Sequence, residues 1–443
     1  MAEMDERGTS PDLGDHPLVT VAEREELTPA AASKADLAVA PELVANSLGE
    51  YLQAWVARVR GGESGILPVI GGLILISILF QSLNRHFLTA GNLVNLLIQG
   101  SVYMLLAMGE IYALLLGEID LSIGFVSGIG GTIMAELVKQ KYGWPWWAAI
   151  IVALLGCAAI GALQGTIITR VGLPSFVVTL AGLLGWQGVL LLMLGKGGAL
   201  PINQNVINDF ASGNLTVAAG WIIMLVVAGA FGLRTWLRDS RRRGSGLVAP
   251  PASLSVIKIV AVFAAGAALV LICNTNHGTR FKAIRGVPWV VLIVLGVLAL
   301  WTVLLGRTRF GRYMYAIGGN PEGARRAGIS LPKIRTVAFT LASFTAGIAG
   351  IVAASRLRSV STSIDGGTLV LYSVAAAVIG GTSLFGGRGK AMHAVMGGLV
   401  IAAIDNGMGL QGYSAAAKYV VTALVLLAAV TIDAVARRGR TAR

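Results

Sequence analysis

The residues best suited to chemistry form the run Gly117-Glu118-Ile119-Asp120-Leu121-Ser122-Ile123-Gly124. Carboxylates, a hydroxyl and glycines here interrupt an otherwise apolar stretch. A carboxylate inside a membrane is costly unless it faces a cavity or finds a partner. A glycine break can also turn backbone groups toward a polar solute. Glu118, Asp120, Ser122 and Gly124 are therefore candidates for a polar hinge beside a path. A second reading, compatible with the first, makes Asp120 the cap of the next helix. Asp405 and Asn406 lie late in another apolar run, where Asp405 either meets a polar solute or caps a turn. Thr382 and Ser383 sit in the glycine-rich stretch Val378–Lys390, which does not suit a lipid-facing helix.

That stretch resembles a phosphate cradle only superficially. Lys390 is followed by Ala391, and Gly195-Lys196-Gly197 fails likewise, so no P-loop is found and no ATP site is expected in this chain. His16, His86, His277 and His393 are scattered and form no metal pair, and no nucleophile motif stands out. Cys157 and Cys273 lie in apolar stretches and read as small buried residues. A further segment runs from Ala316 to Ser330. Asn320 can cap, Pro321 suits the first helical position and Gly328 can end a helix of about two turns. A free helix that short is unstable in water, so it must pack on its own domain or on a partner.

The elements that hold these residues are membrane helices. The 443 residues are 55% hydrophobic and only 13% charged, against about 25% charged in soluble domains. Runs such as Ile66–Phe80 and Val290–Leu305 suit helices, since a bilayer asks for about 20 apolar residues per span. The sequence predicts an all-α polytopic membrane protein of 10–12 transmembrane helices, one or two of them broken or re-entrant. Spans are expected at 66–83, 92–116, 121–139, 146–169, 174–194, 216–237, 254–274, 286–306, 336–354, 368–386, 391–409 and 416–436. The segment 368–386, bracketed by paired glycines, is the one most expected to break.

Charge predicts orientation. The connection 234–243 holds five arginines and one acid, and 307–335 holds seven basic residues and one acid, Glu322. With Arg437, Arg438, Arg440 and Arg443 they fall on one side of a twelve-span count, which the positive-inside rule makes cytoplasmic. Both termini are expected there. Arg280, Lys282 and Arg285 fall outside by that count, and Glu118 and Asp120 fall inside with no base nearby in sequence. Residues 1–60 carry eleven acidic and five basic residues and read as a disordered acidic cytoplasmic tail ahead of a membrane domain over 61–443. With −6 in that tail, the net charge of +13 leaves +19 on the rest of the chain, much of it in loops without the aromatic-rich basic face that nucleic acid needs.

In order along residues 66–436, the stretches Gly117–Gly124, Leu173–Gly182, Arg285–Pro288, Arg309–Arg312, Ala316–Gly328, Val378–Gly389 and Asp405–Met408 resemble the permease subunits of bacterial ATP-driven sugar importers of the ribose/xylose type. The extra length around 213–283 and the Glu-Ile-Asp at 118–120 are similar to the xylose branch. The resemblance implies translocation of a monosaccharide, D-xylose or another pentose, by alternating access. It implies paired permeases, a cytoplasmic ABC ATPase that binds the ATP and Mg, and an extracytoplasmic sugar-binding protein. It also implies that Asn320, Pro321, Glu322, Gly323, Ala324, Arg325 and Gly328 form the segment that docks on the ATPase, with Gly323 departing from the alanine of the family pattern. The rival readings are an ion-coupled secondary sugar transporter using Glu118, Asp120 or Asp405, and an intramembrane enzyme, for which no catalytic pair is found.

Overall fold

The computed structural model describes residues 66–245, 250–278, 283–362 and 365–441, with Gly49 and Gln53. Apart from those two positions, the tail expected over 1–60 lies outside the described residues, as do Arg280, Lys282 and Arg443.

Apolar helices dominate: α1 (Leu67–Leu83), α2 (Ala90–Leu115), α3 (Ile123–Val138), α4 (Trp146–Arg170) and α5 (Ser175–Leu194). A short connection follows, with strand β1 (Ala199–Pro201) and helix α6 (Asn205–Ser212). Then come α7 (Val217–Gly244), α8 (Ala252–Asn274) and α9 (Trp289–Arg307). Two short helices, α10 (Arg309–Gly319) and α11 (Pro321–Arg326), lead into α12 (Leu331–Leu357). Strand β2 (Ser359–Ser361), α13 (Gly366–Ile379), α14 (Ala391–Leu410) and α15 (Ala415–Thr441) complete the chain. The strands pair antiparallel, Leu200 opposite Val360, and form the one small sheet among the described residues.

Eight of the helices are long and apolar enough to cross a membrane, and α1, α3, α13 and the first part of α15 are shorter apolar helices. The 16 residues of α3 and the 14 of α13 extend only about 24 and 21 Å at 1.5 Å per residue. A hydrocarbon core is ~30 Å thick, so neither of these helices spans it alone. The span expected at 368–386 thus stops at Ile379, and residues 380–390 form a glycine-rich loop.

Helix ends sort into two sets. At one end the Leu115 carbonyl accepts from Gly387 N–H at 2.9 Å, and the Tyr315 hydroxyl donates to the Gly389 carbonyl at 2.7 Å. At the other, the Asn84 side chain donates to the Leu410 carbonyl, Gly286 N–H to Cys273, and β1 pairs with β2. Arg241–Arg243, Arg307 and α10–α11 all belong to the first, basic end. Arg285 lies at the opposite end, after the C-terminus of α8.

The centre is α2, buried without interruption from Gly100 to Leu115. Around it pack α12, α14, α13 and α9. Close approach rests on small residues, as it does generally in membranes. A Cβ at Gly350 of α12 would run into the Ser127 carbonyl of α3, and one at Gly397 of α14 into the Ala376 carbonyl of α13. Helices α7 and α8 pack chiefly on each other at the periphery.

Candidate translocation site and coupling segment

The polar break after α2 is a local consequence of its glycine. Gly117 has φ 76°, its N–H donates to the Leu114 carbonyl, and Glu118 N–H donates to Ala113. This reciprocal pair is a Schellman termination, which a left-handed residue permits. Gly381 ends α13 with the same pair of bonds, Gly381 to Val378 and Thr382 to Ala377. Gly328 does so after α11, Gly328 to Arg325 and Ile329 to Ala324.

Behind the first break lies a buried polar cluster. Asp120 N–H donates to Glu110 Oε1 at 3.1 Å, and both carboxylates are fully buried. Asp120 Oδ1 accepts from the Ser122 N–H at 2.9 Å and hydroxyl at 2.6 Å. Gln164 of α4 donates to the Ser122 hydroxyl at 2.9 Å, and Thr179 of α5 donates to the Ile119 carbonyl. Glu118 turns the other way and meets Arg335, near the N-terminus of α12, at 2.9 Å. That supplies the base which the sequence around Glu118 lacks. Its side chain is 10% exposed and Arg335's is 32%, so the pair is largely shielded. Glu110 Oε2, Glu118 Oε2 and Asp120 Oδ2 have no hydrogen-bond partner among the described residues. A cavity of about 430 Å³ opens beside the pair, lined also by Thr169, Ser175 and Phe176.

The glycine-rich loop closes over the same end. Thr382 and Ser383 are buried there, Ser383 N–H donating to the Arg388 carbonyl at 2.8 Å and its Oγ accepting from Phe385 N–H at 3.1 Å.

Asp405 and Asn406 belong elsewhere, near the opposite end of the bundle. Asp405 is salt-bridged to Lys418 of α15 at 2.8 Å and accepts from the Tyr103 hydroxyl at 2.9 Å and from the Gln99 amide. Asn406 exchanges hydrogen bonds with Asn92 at 2.8 and 3.0 Å. Two polar clusters therefore lie along α2. Gln99 and Tyr103 serve one and Glu110 the other, 7–11 residues apart in the sequence, or ~10–16 Å along a helix axis.

Two capping expectations need correction. Asp120 makes a turn with Ser122 but does not cap α3, whose N-cap is Ser122 without a side-chain bond. Asp405 caps no turn, because its oxygens are taken by Lys418, Tyr103 and Gln99. Gly124 is pressed against the Gly366 carbonyl of α13, where a Cβ would have no room. Sequence reasoning passed over Glu110, Gln99, Gln164, Arg335 and Lys418. Only Glu110 carried a usable signal, a carboxylate within a 26-residue apolar helix.

At the basic end, α11 spans Pro321–Arg326, with Pro321 in its first turn. The Asn320 side chain accepts from Gly323 N–H at 2.8 Å. Glu322 pairs with Arg325 at 3.0 Å and Arg326 at 3.2 Å, all three exposed. Ala324 is buried and anchors the helix.

Against known proteins, residues 92–430 match the family model described as "Branched-chain amino acid transport system / permease component". The chain is 34% identical over 389 residues to the xylose transport system permease protein of Escherichia coli (strain K12), covering 85% of this chain and 95% of that protein. Its counterpart in Haemophilus influenzae is 34% identical over 352 residues, covering 78% and 90%. The ribose import permease protein of Escherichia coli (strain K12) is 30% identical over 383 residues, covering 86% and 95%. No solved structure gives a significant match. With the family model spanning the bundle from α2 into α15, more than half of the chain, the chain belongs to the family of branched-chain amino acid transport system permease components.

Proposed function

We propose that this chain is the membrane-spanning permease subunit of an ATP-driven importer and translocates a monosaccharide, a pentose such as D-xylose, into the cytoplasm. The observation that carries the reading is the near full-length correspondence with the xylose transport system permease, 34% identical over 95% of that protein. A ribose permease and a D-allose permease among the relatives keep the substrate class to sugars. The chain works in the bacterial cytoplasmic membrane with its basic end, and both termini, inside. It pairs with a second permease and takes sugar from an extracytoplasmic binding protein. ATP and Mg are bound by a partner ATPase, which docks on α10–α11 through Asn320, Pro321, Glu322, Gly323, Ala324, Arg325 and Gly328.

The geometry supports a two-ended path. Asp405 and Asn406, with Tyr103 and Gln99, offer donors and acceptors near the outer end. Glu118, Asp120, Ser122, Thr382 and Ser383 surround the inner end, where Tyr315 of α10 bonds the glycine-rich loop. Movement of the docking segment is thus transmitted directly to the inner closure. A sugar needs weak contacts at both ends, since tight binding slows release.

One observation favours an alternative, an ion-coupled transporter. Glu110 and Asp120 are neighbouring buried carboxylates, each with an oxygen unpartnered among the described residues, as a proton relay would need. One assay separates the two. Proteoliposomes holding the permease, ATPase and binding protein are loaded with radiolabelled D-xylose outside and ATP at the ATPase face. Uptake that needs ATP and survives a protonophore supports the importer. Uptake without ATP that a protonophore abolishes overturns it.

A further inference from the structure

The last turns of α7 place Arg234, Arg238 and Arg241 on one face, at spacings of four and three residues. Ala230, Leu233 and Leu237 share that face, and Arg307 at the end of α9 stands across from it. Together these seven residues line an open groove of about 600 Å³. Its walls are apolar and exposed, Leu233 and Leu237 being 62% and 44% exposed. Its rim carries guanidinium groups with almost no compensation. Asp239 faces away into contact with Ser255 and Arg238, and Arg234, Arg241 and Arg307 form no ion pair among the described residues. Trp236 lies at the same height, exposed, with Arg243 over its ring at 5.7 Å. An exposed tryptophan at a helix end marks the headgroup level of a bilayer.

We propose that this groove is a binding site for one anionic phospholipid of the inner leaflet. Its acyl chains lie along Ala230, Leu233 and Leu237, and its phosphate is held between Arg234, Arg241 and Arg307. Charge complementarity selects the headgroup, because unpaired guanidinium groups between membrane helices on the basic side suit an anionic lipid. The apolar floor below the rim selects a lipid over a free phosphate, which would leave Leu233 and Leu237 uncovered. The lipid fills the space between the peripheral α7–α8 pair and the bundle. None of this rests on the identity of the transported substrate.

The test is native mass spectrometry of the full chain, with dioleoyl phosphatidylglycerol, dioleoyl phosphatidylcholine and inorganic phosphate added separately. Phosphatidylglycerol adducts are expected to persist where phosphatidylcholine adducts do not, and phosphate alone to leave none. The double variant Arg234→Gln/Arg307→Gln weakens phosphatidylglycerol binding about thirtyfold, from the loss of two surface cations. Leu233→Trp fills the groove at unchanged charge and also weakens it. Arg242→Gln/Arg312→Gln, the same charge change away from the groove, leaves it as in the native chain. Equal retention of phosphatidylcholine, equal weakening by the Arg242/Arg312 variant, or full competition by inorganic phosphate overturns the site.

Discussion

Glu118 and Arg335 are 217 positions apart in sequence yet 2.9 Å apart in space. They tie the break after α2 to the start of α12. Removing one partner of a shielded pair leaves a charge with neither water nor counterion. Arg335→Gln therefore costs about 1–3 kcal/mol, the penalty for an unsatisfied charged group. Glu118→Gln/Arg335→Gln together recovers most of it. Thermal unfolding of the purified single and double variants checks this, and additive losses would mean the two side chains do not interact. The glycine contacts are a sharper residue-scale case. Gly350→Val forces a side chain into the Ser127 backbone and separates α3 from α12. Overpacking of this kind costs roughly 1–3 kcal/mol. Gly185→Val on α5, where a Cβ meets nothing within 4 Å, is the control. Monodisperse yield on size-exclusion chromatography should fall for the first and hold for the second.

At the scale of the element, the proposed docking segment α10–α11 offers the most direct test of mechanism. Gly328 has φ 80° with open space around it, so a larger residue is disfavoured by backbone conformation and not by crowding. Gly328→Val costs on the order of 1–2 kcal/mol in the left-handed region or redirects the chain into α12. Glu322→Lys breaks both exposed pairs with Arg325 and Arg326 and puts positive charge in the first helical turn, where negative charge is favoured. Both variants should remain folded, while substrate-stimulated ATPase activity and sugar uptake drop together in reconstituted complexes. Native transport and ATPase binding by both would remove α10–α11 from the coupling role. Much at this scale was legible in the sequence. The Asn320 cap, Pro321 in the first turn and Gly328 past the end follow from local chemistry that needs no partner. The helices themselves were legible because hydropathy accumulates over about 20 residues. What the sequence could not disclose is pairing across the bundle. Nothing local to Asp405 names Lys418 or Gln99, and nothing local to Gly124 names the Gly366 carbonyl packed against it. Glu110 was hidden by its own surroundings, one acid averaged away in an apolar window.

For the whole molecule, the two sets of helix ends make orientation measurable. Arg241–Arg243, Arg307 and α10–α11 share one end, and Gln140 and Tyr142, after α3, lie at the other. Single cysteines at Ser240 and Ser330 should escape an impermeant thiol reagent applied outside intact cells, and one at Gln140 should be labelled. The reverse pattern would invert the protein and put the proposed docking segment on the wrong side of the membrane. Cys157 and Cys273 are buried and give a low background for the experiment.

The unbroken burial of α2 from Gly100 to Leu115 carries a mechanical consequence. A rod enclosed by α12, α14, α13 and α9, with a polar knot toward each end, cannot slide or tilt without unpacking its whole sleeve. The permease reading therefore expects either mouth to be opened by parts that move around it, α5, α15 and the loop 380–390. Spin labels paired between α2 and α12 should hold a constant separation through the transport cycle, while pairs from α2 to α5 or to α15 lengthen and shorten with it.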